Sequence, residues 1–167
     1  SLNPERPATL ISRANTYIKW GRIRLSKKQE AKTLFEKGIA DFDSAEKINP
    51  SSGNLWSGRG VCHLYLAKIK KDSGLDPEEN YRAAIKNLDQ SILILPNQPG
   101  LLSSRGNGYY EWGKHRHSIK KGALLQMKGA LTDLRKAVQI NPDFHAREKA
   151  KIKALEDYVY KHRNHSK

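Results

Sequence analysis

The sequence predicts an all-α protein, a right-handed superhelical solenoid of antiparallel helix pairs. Three observations carry that prediction. Pro50, Pro96 and Pro142 recur at an interval of 46 residues. The same interval links Arg13, Arg59 and Arg105, the small residues Ala14, Gly60 and Gly106 behind them, and Phe42, Leu88 and Leu134 further on. Register kept at both ends of three units marks an internal repeat. Within each unit, apolar residues return at three- and four-residue spacing, the signature of amphipathic helices.

On this reading the chain is a single helical-repeat domain over residues 1–167. Repeat 1 covers about 5–50, repeat 2 about 51–96 and repeat 3 about 97–142, and a capping helix follows over about 143–162. The first helix begins at Asn3-Pro4, with Asn as cap and Pro at the first helical position, or at Pro7, since Arg6 before it is biased away from the helical region. Leu10, Ala14, Tyr17 and Ile18 give its apolar face, which runs to about Leu25. Ser26 stands three residues before Gln29, a capping-box spacing that starts a second helix. That helix carries Leu34, Gly38, Phe42 and Ala45 on one face and ends at Asn49-Pro50.

The second unit repeats the plan, with Leu55, Trp56, Gly60 and Leu64 on one helix and Ala84, Leu88, Ser91 and Ile92 on its partner. Asp72 and Ser118 share the register of Ser26, so each is read as the cap of a second helix. Asp76-Pro77 is expected to delay that helix by about a turn in the middle unit. The third unit runs from Leu101 to Asn141. The last helix covers Ala146 to about Tyr160, with Ala150, Ile152, Leu155 and Val159 inward and Arg147, Lys151, Lys153 and Glu156 outward. A polar outer face suits a helix that closes a stacked array.

Composition narrows the function. Charged residues are 29% and hydrophobic residues 37%, and no apolar run approaches the roughly 20 residues a membrane span needs. The start, Ser1-Leu2-Asn3-Pro4, has no apolar leader. Cys62 is alone, which excludes an intrachain disulfide and favours a reducing, intracellular and cytoplasmic setting. The formal net charge of +14 points to anionic partners: phosphate, nucleic acid, anionic lipid or an acidic protein surface.

These residues resemble the tetratricopeptide repeat. Trp56-x-x-Arg59-Gly60 and Arg105-Gly106-x-x-Tyr109 are similar to the first half of its pattern, and Gly38-x3-Phe42, Ala84-x3-Leu88 and Ala130-x3-Leu134 to its second. The units here are 46 residues against the usual 34, with the added length around the turn of each helix pair. Arg replaces the usual Leu before the small residue, and His63 stands where Tyr is usual. The resemblance implies a protein-binding scaffold whose first helices line a concave groove. It also implies comparison with family members that clamp a chaperone's terminal carboxylate. Asn15 matches that clamp, but Ile11, Gly58, Gly100 and Ser104 occupy its other places and argue against such a ligand.

Little in the sequence supports catalysis, and no cofactor or metal is expected. His115 and His117 are two apart and diverge on a helix. His162 and His165 fall in the tail. Cys62 lies on a packed helix face, and Asp41, Asp43 and Glu46 read as an ordinary charged helix surface. No phosphate-binding glycine loop is present. The recurrent arginines are read as structural, because Asp41, Asn87 and Asp133 each follow their arginine by 28 residues.

Two surfaces remain. Helical spacing places Ile11, Asn15 and Ile18, then Asn54, Ser57, Val61, Leu64 and Tyr65, then Ser103, Asn107 and Tyr110 on the groove side, where they would hold an extended peptide. The other surface is a basic edge at the lengthened helix ends. It comprises Arg22, Arg24, Lys27 and Lys28, then Lys68, Lys70 and Lys71, then Lys114, Arg116, Lys120 and Lys121, with stacking expected to set the three groups side by side. The leading reading is a non-catalytic scaffold for a peptide or protein, an acidic one if the edge takes part. The alternative is an RNA-binding helical array, which lacks the residue code of one-base-per-repeat readers.

Overall fold

A computed structural model describes residues 6–163, which form seven α-helices: α1 (Pro7–Ser26), α2 (Lys32–Ile48), α3 (Gly53–Asp72), α4 (Glu78–Ile94), α5 (Pro99–Ser118), α6 (Leu124–Ile140) and α7 (Phe144–His162). The fold is all-α, with α1 packed on α2, α3 on α4 and α5 on α6 as sequential antiparallel pairs. Starts at 7, 53 and 99 and at 32, 78 and 124 keep the 46-residue register without drift. Pro7 occupies the first turn of α1 behind an extended Arg6. The alternative start at Asn3-Pro4 lies outside the described residues.

One expectation is reversed at the turns. Ser26, Asp72 and Ser118 do not open the second helices; each is the last residue of a first helix. The reason lies two residues on, where Lys28 (φ 56°), Gly74 (φ 73°) and Lys120 (φ 57°) all adopt the left-handed conformation that stops a helix. The following amides close the motif: Gln29 N–H donates to Arg24 O, Leu75 to Lys70 O and Lys121 to Arg116 O, each at 2.8 Å. Ser26 and Ser118 turn their hydroxyls back onto the carbonyls of Ile23 and His115. Asp76-Pro77 causes no delay either, since α4 starts in the same register as α2 and α6.

The chain divides into two compact units, one through Pro96 and one from Asn97. In the first, α1, α2 and α3 bury Leu10, Ala14, Ile18, Phe35, Phe42, Leu55, Cys62 and Leu66 together. The Cζ end of the Phe42 ring abuts α3, and a Cβ on Gly58 would overlap it. A Cβ on Gly60 would stand 2.9 Å from Leu88 Cγ and 3.2 Å from Ala84 O. In the second unit, Gly106 meets Leu134 in the same way at 2.9 Å, and the core is Met127, Ala130, Leu131, Leu134 and Leu155. These approaches leave no room for a β-carbon, so the small residues set the spacing of the pairs.

Across that spacing the arginines meet the partners expected 28 residues on. Arg13 forks onto Asp41, Nε to Oδ2 at 2.7 Å and Nη2 to Oδ1 at 2.6 Å. Arg105 does the same to Asp133, with both contacts at 2.7 Å. Arg59 donates through Nε to Asn87 Oδ1 at 2.7 Å and uses Nη1 for Asp43 and Glu46 of α2. Its guanidinium also lies 4.5 Å over the Trp56 ring. The middle arginine thus joins α3 to both neighbours, and its two acids come from the cluster read as ordinary surface.

In α7 the expected facing is partly wrong. Leu155 is buried and Ile152 and Val159 half-buried, but Ala150 is exposed and Lys151 turns inward. Glu148 is fully buried.

Two stability predictions follow from this geometry. Arg105→Ala leaves the buried Asp133 without its fork and costs roughly 2–3 kcal/mol, whereas Lys120→Ala at an exposed turn stays within about 0.5 kcal/mol; denaturant melts compare them. Equal shifts would refute the pairing. Lys28→Gly and Lys120→Gly each stabilise by about 1 kcal/mol and Gly74→Ala destabilises by about as much, because only glycine takes positive φ without a Cβ penalty.

Candidate functional site

Nine of the groove residues stand in register, Ile11 with Ser57 and Ser103, Asn15 with Val61 and Asn107, and Ile18 with Leu64 and Tyr110, and packing treats them unequally. On α1, Asn15 is exposed, Ile11 half-buried and Ile18 sunk in the core. On α5, Ser103 is buried and Asn107 and Tyr110 half-buried. Ile18 and Ser103 therefore do not line a surface. The cause is the neighbouring element in each unit: α3 packs along α1 in the first, and in the second Glu148 of α7, which packs on α6, bonds Ser103. On α3, Asn54 is exposed and Ser57, Val61 and Leu64 half-buried. Tyr65 is committed elsewhere, its ring stacked on Phe35 at 4.8 Å. The side-chain amides of Asn15 and Asn54 donate to no group among the described residues.

In the second unit the stripe belongs to a polar network that the sequence reading missed. Glu148 Oε1 accepts from Ser103 Oγ at 3.0 Å and from Asn107 Nδ2 at 3.2 Å, and its Oε2 accepts from Lys151 Nζ at 3.0 Å. Lys151 also donates to Asn107 Oδ1 at 2.6 Å, and Arg147 Nε stands 3.2 Å from Glu148. Burial acts to raise the Glu148 pKa, but the bonds from Lys151, Asn107 and Ser103 outweigh it and hold the carboxyl below its usual value. Two signals were readable. Glu148 takes the register place of Leu10, Trp56 and Leu102, and Lys151 takes that of the recurrent arginines.

The basic-edge residues differ in how free they are. Arg22, Arg24, Lys27 and Lys28 are exposed and make no ion pair among the described residues. Lys68 is paired with Asp72 at 2.6 Å, while Lys70 and Lys71 are half-buried. Lys114 reaches Glu111 at 3.4 Å and sits 5.3 Å over Tyr110. Arg116 donates to Gly122 O, and Lys120 and Lys121 are exposed at the turn.

Other candidate chemistry is structural in character. Burial pushes the Cys62 thiol up to about 12, so it is a packed, unreactive group. Burial and then Arg59 lower the pKa of His63, which faces Asn80. His162 is the last residue of α7, outside the loose tail in which it was expected; its ring stacks on Tyr158 at 4.1 Å. No helix of the described residues is long and apolar enough to cross a membrane.

Paired helices at this register, with small residues at each crossing, define a tetratricopeptide-type helical-repeat fold. A solved structure titled "Arabidopsis OM64 TPR domain" is similar to this chain with a TM-score of 0.52 and 17% identity, over 92% of this chain and 98% of that one. At that identity the likeness concerns the fold. No protein-family model matches the sequence, and no curated protein matches it.

Glu148 supplies a test of the network. Its folded pKa lies below the unfolded one, so its contribution is complete above about pH 4.5 and is lost as pH falls through the folded value. Glu148→Gln should cost roughly 1–2 kcal/mol at pH 7, and the gap between variant and parent should narrow below about pH 4 in parallel melts. A gap independent of pH would remove the charge from the account.

Proposed function

We propose that the chain is a non-catalytic protein-binding module that takes an extended peptide segment along the first helices of its first unit. The observation that carries this reading is the row of Asn15 on α1 and Asn54, Ser57, Val61 and Leu64 on α3. It sets uncommitted amides beside half-exposed apolar groups on a tetratricopeptide-type fold. An amide offers a donor and an acceptor to a peptide backbone, and Leu64 and Val61 offer contact area for one of its side chains. In the second unit the matching row is occupied internally by Glu148 and Lys151, so Tyr110 contributes at most a flank.

The test is an array of peptides of varied sequence followed by affinity measurement on a selected binder. Asn15→Ala combined with Leu64→Ala should weaken that binder at least tenfold while the melting temperature shifts little. Binding unaffected by the pair, or a measured catalytic turnover, would overturn the reading.

One observation favours the RNA-binding alternative. From Asn97 onward the sequence carries 15 Lys and Arg against 6 Asp and Glu. Tight binding of a generic RNA at about 0.15 M salt, with a steep fall of the association constant against salt, would favour it.

A further inference from the structure

The internal repeat allows each face of one first helix to be compared with the same face of the next. On α3 the face toward α2 is covered. Tyr65 stacks on Phe35, Leu66 is 8% exposed, and Ile69 packs on the same core. The register equivalents on α1 are Lys19, Trp20 and Ile23, which nothing among the described residues covers. Trp20 is 57% exposed and Ile23 53%. A shallow recess beside them is lined by Lys19, Arg22, Ile23 and Ser26. Exposed tryptophan beside isoleucine on a highly charged helix is an interaction signal, since aromatic anchors ringed by arginine carry most of the energy of protein contacts.

We propose that the C-terminal half of α1 docks an acidic amphipathic helix of a partner protein, laid on α1 as α2 is laid on α3. This rests on the protein-binding reading above and adds a second, separate contact to it. The occupant's apolar edge meets Trp20 and Ile23. Its acidic groups meet Lys19, Arg22 and Lys27, which make no ion pair among the described residues. The N-terminal half of the same face is different. Ser12 and Thr16 stand in the places of Gly58 and Cys62 and are exposed. A ring like that of Phe42 cannot seat over Ser12, because even a Cβ at Gly58 would overlap it. The contact is therefore confined to about two turns and needs charge complementarity as well as apolar area.

The test uses the full chain and a stapled helical peptide with the α2 sequence from Ala31 to Ile48, carrying Phe42→Ala, Lys32→Glu and Lys37→Glu. A scrambled peptide of the same composition is the control. Fluorescence anisotropy should show binding of the first and at least tenfold weaker binding of the second. Trp20→Ala should reduce affinity at least tenfold, and Lys19→Glu with Arg22→Glu should do likewise and flatten the salt dependence. Leu93→Ala, an exposed apolar change elsewhere in the first unit, should leave it unchanged. Melting temperatures should hold for all these variants, because the side chains are exposed.

Equal binding of the scrambled peptide, or indifference to Trp20→Ala, would overturn the proposal. So would self-association of the chain that Trp20→Ala abolishes, which would make the occupant a second copy. Generic RNA that displaces the peptide and itself depends on Trp20 would overturn it too. If the array-selected peptide still binds through Asn15 and Leu64 in any of these cases, the protein-binding reading stands without this contact. If neither peptide binds, both fall.

Discussion

Close approach of paired helices at one small residue per unit is the constraint on which the structure depends. Gly60 and Gly106 admit Leu88 and Leu134 to distances that no β-carbon would allow. Ala14, fully buried, holds the same place in the first pair, where the packing accommodates its single methyl group. The approach brings the preceding arginine within reach of the facing helix, and a planar guanidinium can then fork onto a carboxylate in a fixed geometry. Packing and polar register therefore reinforce one another: a slip by one residue would lose the small contact and the forked bond together. Arg59 departs from the pattern in a telling way, since Asn87 is neutral and its charge is met instead by Asp43 and Glu46 of the preceding pair.

The same logic explains how α7 closes the second unit. At the small position it carries Ile152, which would hold off a further helix at the distance the other pairs adopt. At the arginine position it carries Lys151, and no second helix follows within the described residues to supply an aspartate. Lys151 turns to Glu148 and Asn107 instead, and Ser103 completes the set. A fully buried carboxylate is tolerated because each of its oxygens is bonded, in part by a cation.

Surface chemistry is distributed unevenly. The middle turn neutralises itself through Lys68 and Asp72, while the end of α1 leaves its cations free beside exposed Trp20 and Ile23. Steering of an acidic partner draws on such uncompensated charge, within the roughly 8 Å over which physiological salt lets it act. Apolar anchors then decide how long the partner stays.

By itself the sequence determined the repeat, its 46-residue register, the pairing of helices and the three arginine contacts. All of these depend on local periodicity and on spacings that the chain repeats. It determined less at the turns. Ser26, Asp72 and Ser118 are residue types that suit either end of a helix, and only the backbone at 28, 74 and 120 decides between them; glycine signals this at one of the three places, lysine at none. Tertiary structure alone decided which members of a stripe stay exposed. Ile18 sinks into the core that α1 shares with α2 and α3, and Ser103 is covered where Glu148 bonds it, whereas Asn15 and Trp20 stay open because no described helix lies on them. Helical periodicity assigns a residue to a face, but coverage of that face depends on which neighbour packs against it, and that is a property of the assembled fold.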